Sequence, residues 1–127
     1  MGESFYEEII RKYISAYNNC NIAGMLKHMD KKVKFRNISN NEVTFSSNGI
    51  NELKEQMKLS LKYFIEREQK IKSISVTGNV VEVEINYNCI LASDLPNGLK
   101  AGETIELFGK SVFKFRNNKI IEYEDIS

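Results

Sequence analysis

The chain has 127 residues, enough for one domain with a real core and too few for two, so we expect a single domain over residues 1–127. Its 18 basic and 17 acidic residues give a formal charge of +1 and form no basic block, which argues against a nucleic-acid partner. No apolar run reaches membrane length or resembles a signal-peptide core, so we expect a cytoplasmic protein with no membrane partner.

The cysteines and the histidine give no sign of a metal site or a cofactor. Cys20 and Cys89 are far apart and belong to no Cys-x-x-Cys pair, so we expect two buried, reduced thiols rather than a disulfide or a zinc site. His28 is the only histidine, and it has no second ligand at a suitable spacing. We therefore predict no metal and no cofactor.

The first third of the chain predicts two helices and a strand. Apolar side chains recur every four residues in a first helix that runs to about Asn19. Asn21 can cap a short second helix, and the alternation of Val33 and Phe35 with charged residues predicts a strand. The stripe of the first helix consists of Phe5, Ile9, Tyr13 and Tyr17.

The middle of the chain predicts one more helix. Residues 38–48 are rich in Asn and Ser, and their only plausible strand is short, at residues 43–45. Asn48 and Gly49 then open a third helix, and the period changes to two only after Arg67. The buried stripe of this helix consists of Ile50, Leu53, Met57, Leu61 and Phe64.

The second half predicts an antiparallel meander. A strand with Ile74 and Val76 turns at residues 77–79 into the clearest strand of the chain, in which apolar residues from 81 to 89 alternate with polar ones. A loop at 93–102, a long strand at 103–116, a turn at Asn117-Asn118 and a closing strand at 119–125 follow. Helices first and a meander second predict an α+β fold, with three helices on one face of a curved sheet.

The end of the chain carries a recognisable pattern. Gly102 precedes a polar strand, a Phe-Lys-Phe element occupies 113–115, and Asn118 opens an Asn-Lys-Ile-Ile-Glu turn. This pattern resembles the SnoaL-like branch of the nuclear transport factor 2 superfamily, in which a glycine stands at the position of Asn118. Asn tolerates the left-handed backbone of such a turn. The resemblance runs from Tyr6 to Asp125 and implies a cone-shaped fold with a mostly antiparallel sheet around a small-molecule pocket.

The same superfamily includes ketosteroid isomerase, polyketide cyclases, epoxide hydrolases and dehydratases, besides transport and assembly domains without enzymatic activity. Alignment with the isomerase places Tyr13 on the tyrosine that donates a hydrogen bond to the developing oxyanion. Asn37 stands where the isomerase has its general-base aspartate, and Ser111 where it has its protonated aspartic acid. The essential acid of the cyclases also aligns with Ser111. Because an amide cannot abstract a carbon-bound proton near neutral pH, we do not expect the isomerase mechanism.

Each of these residues also has a purely structural interpretation. Tyr13 belongs to the stripe of the first helix and could be a core tyrosine, Asn37 could end its strand through an Asx turn, and Ser111 could be a small filler.

The closing strand offers a replacement acid, because Glu122, Glu124 or Asp125 could turn into the pocket mouth. If Tyr123 faces the core together with Ile121, then Glu122 and Glu124 face away from it.

Three functions follow as hypotheses. The leading one is a homodimer, associated through the sheet, that binds a small, largely apolar or carbonyl-bearing molecule in an internal pocket. The second is an isomerase, cyclase or dehydratase acting on a small carbonyl or polyketide-like substrate with a non-standard acid. The third is a non-catalytic interaction or assembly module. Whether the chain is an enzyme stays open. The expected pocket residues are Tyr13, Tyr17, Phe35, Met57, Leu61, Phe64, Phe113 and Phe115, with polar contacts from Tyr13, Asn37 and Ser111.

The predicted dimer would use the outer face of the sheet. A polar row alternates with the apolar residues of the clearest strand, and it either borders a second copy of the chain or faces solvent. The row consists of Glu82, Glu84, Asn86 and Asn88.

Overall fold

Three helical segments and six strands build the fold in a computed structural model that describes residues 3–95 and 98–127. Pro96 and Asn97, within the predicted loop, lie outside the described residues, as do the side chains of Glu3 and Ser4. The elements are α1 (Glu3–Asn18), α2 (Ile22–Leu26), β1 (Met29–Ser39), β2 (Glu42–Asn48), α3 (Ile50–Ser60), β3 (Phe64–Thr77), β4 (Val80–Leu91), β5 (Thr104–Arg116) and β6 (Lys119–Ile126).

The six strands form one sheet in the order β2-β1-β6-β5-β4-β3. Neighbouring strands are antiparallel except β1 and β6, which are parallel. The main core lies between the helices and the inner face of this sheet, where Ile10 of α1 and Leu53 of α3 meet Val33, Val83 and other strand residues. The predicted α+β architecture, with three helices and a mostly antiparallel sheet, is confirmed.

Local sequence explains where several of these elements begin and turn. The side chain of Asn21 accepts a hydrogen bond from the backbone N–H of Gly24 at 3.0 Å and so caps α2 as predicted. Between β5 and β6, Asn117 and Asn118 both adopt left-handed backbone angles, with φ of 51° and 62°. Asn accepts this conformation at low cost, so the tight turn forms without glycine.

The predicted end of the third helix is wrong. The helix α3 ends at Ser60, Leu61 begins a single 3₁₀ turn, and Phe64 is already the first residue of β3. Phe64 pairs with Leu91, and the backbone N–H of Ala92 donates to the carbonyl of Tyr63 at 2.8 Å. Pairing with the long strand β4 therefore overrides a helical spacing that continues a few residues too far.

Two further expectations need correction. Cys20 is exposed, because it follows the end of α1 in a left-handed conformation with φ of 55°, whereas Cys89 is buried as expected. In β6 the core residue is Ile120 rather than Ile121. In the β5–β6 ladder, Lys114 pairs with Glu122 and the next residue of β5, Phe115, pairs with Ile120. Ile121 is skipped and stays unpaired in this ladder. This bulge shifts the alternation of the strand.

Candidate functional site

A cavity of about 370 Å³ opens between α1, α3 and the inner face of the sheet. Its aromatic lining consists of Tyr13, Tyr17, Phe35, Phe45, Phe64, Tyr87, Phe108 and Tyr123. Its polar lining includes Asn37, Gln56, Ser60, Arg67, Gln69, Lys110, Ser111 and Asp125. The wall is thus mainly apolar and aromatic, with polar side chains at intervals, as is usual for small-molecule pockets.

The structure places most of the expected pocket residues in this wall, and Met57 is among them. Three of the expected pocket residues, Leu61, Phe113 and Phe115, do not line the cavity. Phe113 is completely buried behind it, stacked on the Tyr123 ring with a centroid distance of 4.6 Å. Phe115 stacks in the same way on Tyr6 at 4.4 Å. Phe113 therefore supports the wall from behind, whereas Phe115 packs on a residue outside the lining.

A chain of hydrogen bonds crosses one side of the cavity. The Tyr13 hydroxyl donates to the Tyr123 hydroxyl at 3.0 Å, and Tyr123 donates to Oδ2 of Asp125 at 2.9 Å. The Ser111 hydroxyl donates to Oδ1 of the same carboxyl at 2.7 Å. Asp125 therefore accepts hydrogen bonds from both Ser111 and Tyr123. We call these residues, together with Tyr13, the Asp125 network.

Strand register explains why Asp125 occupies this place. In the ladders of the sheet, Asp125 of β6 is paired with Asn37 of β1 on one side and with Ser111 of β5 on the other. Directly paired residues project from the same face of a sheet. Asp125 thus stands between Asn37 and Ser111 on the inner face of the sheet.

Burial controls the ionisation of the network. It raises the pKa of Asp125 above its usual value, and the hydrogen bonds from Ser111 and Tyr123 oppose this rise only in part because they favour the ionised form. The pKa values of Tyr13 and Tyr123 are also raised well above normal, first by burial and then by the nearby carboxyl of Asp125. Both phenols therefore stay protonated at neutral pH and act as donors.

Asn37 does not end its strand, which continues to Ser39. Its side-chain NH₂ donates to the Thr44 hydroxyl at 2.8 Å, and that hydroxyl donates in turn to the Asn37 carbonyl at 3.2 Å. The amide is thus tied to β2 by a cross-strand pair rather than by an Asx turn, while the residue still lines the cavity.

A second polar group lies in the cavity wall on β3. Arg67 and Gln69 are both buried, and the guanidinium of Arg67 lies 3.8 Å from the centre of the Tyr17 ring. The sequence-based prediction missed both residues because it placed Arg67 at the end of a helix. The available signal was the period of two that Arg67, Gln69 and Ile71 already follow.

Within the described part of the chain, no group of three or more His, Cys, Asp and Glu residues could hold a metal ion. None of the described helices is long and apolar enough to cross a membrane.

Comparison with known proteins gives the family. A family model for the SnoaL-like domain matches residues 10–123, so the chain belongs to the SnoaL-like family, as its sequence resemblance suggested. The chain has the fold of ketosteroid isomerase-like and nuclear transport factor 2-like proteins. No curated protein matches it in sequence.

Three solved structures illustrate the likeness. A candidate polyketide cyclase from Xanthomonas campestris has a TM-score of 0.86 at 14% identity, covering 98% of this chain and 90% of its own. A protein with a ketosteroid isomerase-like fold from Catenulispora acidiphila, in complex with trimethylamine, has a TM-score of 0.75 at 12% identity, covering 93% and 83%. TerC, co-crystallised with polyporic acid, has a TM-score of 0.75 at 17% identity, covering 94% and 88%. At these identities the similarity concerns the fold alone.

Proposed function

We propose that this SnoaL-like domain binds a small, largely apolar molecule in the cavity, with a carbonyl or hydroxyl group of that molecule at the Asp125 network. The observation that carries the proposal is the aromatic cavity with a polar network on one side. Apolar walls supply affinity through buried area, and a few placed polar groups fix the orientation of the ligand.

The comparisons support small-molecule binding by proteins of this fold. The Catenulispora acidiphila protein was obtained in complex with trimethylamine, and TerC with polyporic acid. The two molecules differ greatly in size, so the fold leaves the choice of ligand to the side chains. In this chain those side chains favour a ligand with a flat, apolar body, because eight of the 24 lining residues are aromatic.

Native mass spectrometry tests this proposal. The protein would be measured as purified and after incubation with a panel of aromatic ketones and phenols. Gln56→Trp places a bulky ring on α3 in the cavity wall, whereas Lys58→Trp places it on the exposed face of the same helix. We expect a bound mass in the wild type and in Lys58→Trp and its loss in Gln56→Trp. Equal binding by both variants, or no binding by any protein, would contradict the proposal.

One observation favours a second candidate function, an acid-catalysed isomerase, cyclase or dehydratase. Asp125 lines the cavity, has a raised pKa, and keeps two hydroxyl donors on its oxygens. In such an enzyme the protonated carboxyl gives its proton to a substrate carbonyl oxygen as negative charge develops there. Ser111 and Tyr123 then stabilise the carboxylate that remains.

This candidate requires turnover, which can be measured on a panel of small ketones and polyketide-like aldehydes. An acid that must be protonated predicts a rate that falls as pH rises through the pKa of Asp125. Asp125→Asn should abolish the rate, whereas Glu124→Gln should keep it, because Glu124 pairs with Arg36 on β1 instead. Absence of turnover on the whole panel, or a fully active Asp125→Asn, would leave binding as the function.

We further propose that the chain is a single domain that works in the cytoplasm as a homodimer. The dimer proposal has support at Phe108. This residue borders the cavity, but it is 66% exposed and pairs across strands with Asn86 of the polar row, so its ring projects from the outer face of the sheet. The cytoplasmic proposal is supported by the two free thiols. The same native mass spectra report the oligomeric state, and a monomer at micromolar concentration would contradict the dimer.

A further inference from the structure

We propose that the ligand of this cavity carries a carboxylate, or a similar planar anion, and that Arg67 binds it. This inference rests on the proposed small-molecule function and adds the charge and orientation of the ligand. It starts from a buried cation, two of whose nitrogens have no hydrogen-bond partner among the described residues.

Arg67 is unusually enclosed for an arginine. It lies on β3 in the cavity wall and is only 9% exposed. Its neighbours Glu66 and Glu68 are exposed on the opposite face of the strand, so neither carboxylate accompanies it inward. A guanidinium keeps its charge at every physiological pH, and so it cannot escape the cost of burial by losing a proton.

Two nitrogens of this guanidinium lack an acceptor among the residues that the structure describes. Nε and Nη2 of Arg67 are both buried and have no hydrogen-bond partner in the described part of the chain. No described carboxylate forms an ion pair with Arg67, and the acid of the cavity wall, Asp125, accepts its hydrogen bonds from Ser111 and Tyr123. The guanidinium carbon lies over the Tyr17 ring, 3.8 Å from its centre, and this cation–π contact gives Nε and Nη2 no hydrogen-bond acceptor.

The unused donors have a specific geometry. Nε–H and one N–H of Nη2 lie in the guanidinium plane, on the same edge and nearly parallel. Their spacing matches the two oxygens of one carboxylate. A single point anion can accept from both donors only at bent angles, whereas a planar carboxylate gives each donor its own oxygen. A bidentate anion is therefore the best match for these two donors.

The position of Arg67 is also well fixed. The side chain of Asn18, at the end of α1, accepts from the backbone N–H of Gln69 at 2.7 Å and donates to its carbonyl at 3.0 Å. This double hydrogen bond holds β3 against α1 two residues from Arg67. A binding residue placed on a strand and tied to a helix loses little freedom when the ligand arrives.

The two polar regions of the wall orient the ligand. Tyr17 at Arg67 and Tyr13 in the Asp125 network are one helical turn apart on α1, a rise of about 6 Å. The anionic group belongs at Arg67 and not beside the carboxyl of Asp125, where like charges would repel. The ligand class is thus an aromatic or aliphatic acid whose carboxylate meets Arg67 and whose neutral oxygen reaches the Asp125 network.

Matched probes on the unmodified protein test this inference without any variant. The affinities of 2-naphthoate and 2-naphthamide, measured by calorimetry at neutral pH, compare an anion with a neutral molecule of nearly equal shape. We expect 2-naphthoate to bind about tenfold tighter or more. Equal affinities would overturn the inference and leave the proposed function intact. If neither probe binds while neutral ketones still do, the inference is likewise overturned and the proposed function stands. If no ligand binds at all, both the inference and the proposed function are overturned.

Two variants then assign the effect to one residue. Arg67→Met removes the buried cation of the cavity wall, whereas Lys110→Met removes a half-exposed cation whose Nζ lies 4.0 Å from Glu82 of the polar row. Lys110 pairs across strands with Glu84 of the same row, so its side chain projects from the outer face of the sheet. We expect Arg67→Met to abolish the preference for 2-naphthoate and Lys110→Met to preserve it. Arg67→Met should also melt at a higher temperature than the wild type, because it removes an unpaired buried charge. A lower melting temperature with an unchanged preference would assign Arg67 a packing role only.

Discussion

The carboxyl group of Asp125 and the hydroxyl of Ser111 are joined by a hydrogen bond of 2.7 Å between the paired strands β6 and β5. Directly paired residues project from the same face of a sheet, and both of these residues line the cavity. The hydrogen bond therefore holds the carboxyl of Asp125 in the cavity wall beside β5.

The raised pKa of Asp125 makes the stability of the protein depend on pH. The folded chain binds this proton more tightly than the unfolded chain, so the stability that Asp125 contributes is fully present below its unfolded pKa, near 3.8. It is lost as pH rises through the higher folded pKa. We therefore expect Asp125→Asn to become more stable relative to the wild type as pH rises from about 4 to about 8.

Urea unfolding of both proteins across this pH range measures the effect. His28 has a lowered pKa and produces the opposite slope, but it does so in both proteins, so the difference between them isolates Asp125. A difference in unfolding free energy that stays constant over the whole range would show that the pKa of Asp125 is the same in the folded and unfolded chains.

The two tyrosines of the Asp125 network should differ in their contributions. Tyr123→Phe removes the acceptor of Tyr13 and one donor of Asp125, leaving buried polar groups unsatisfied, so we expect a loss of about 1–3 kcal/mol in unfolding free energy. Tyr13→Phe removes only the terminal donor, and we expect about 0.5–1.5 kcal/mol.

Denaturant unfolding of both single variants and of the double variant checks this order. Since the two hydroxyls share one chain of hydrogen bonds, the double variant should lose less than the sum of the single losses. Equal single losses that add fully would mean that the two hydroxyls act independently.

Sequence patterns predicted the architecture well but the site only in part. The strand β4 and the turn at Asn117-Asn118 were predicted correctly because each depends on neighbouring residues, namely on alternating polarity and on the tolerance of Asn for left-handed angles. Alternation from Tyr123 also places Asp125 on the inner face of β6. Its partner Ser111, however, depends on the pairing of β6 with β5, which the sequence of β6 alone does not contain.

Arg67 was missed for a related reason. Its place in the cavity follows from the start of β3 at Phe64, which is set by pairing with β4 rather than by the residues before Arg67. An isolated arginine between two glutamates looks like a solvated residue, and only the pairing of the strands shows which face it occupies.

Gly109 should be required for the position of the end of β6. A Cβ atom at this residue would lie 2.9 Å from the backbone oxygen of Ile126, so Gly109→Ala forces β6 to move next to Asp125. We expect a loss of about 1–3 kcal/mol and weaker ligand binding, measured by thermal unfolding and calorimetry. Lys114→Ala, on the exposed face of the same strand, should change neither by much. Unchanged binding in Gly109→Ala would mean that the cavity tolerates this shift.

Phe113 should affect the Asp125 network although it does not line the cavity. Its ring stacks on Tyr123, so Phe113→Leu removes the support that holds the Tyr123 hydroxyl against Asp125. We expect a loss of about 1–2 kcal/mol in unfolding free energy and a further rise in the pKa of Asp125, because a weakened hydrogen bond no longer favours the carboxylate.

Phe115→Leu is the matched control for this prediction. Phe115 is equally buried on the same strand, but it stacks on Tyr6 and not on the Asp125 network. The Phe115→Leu variant should therefore lose a similar unfolding free energy without changing the pKa of Asp125. Carbon-13 NMR of the labelled carboxyl measures this pKa directly. A common pKa shift in both variants would indicate general loosening of the core. A shift confined to Phe113→Leu would show that a ring behind the wall sets the protonation of the acid inside it, because only that ring holds Tyr123 in place.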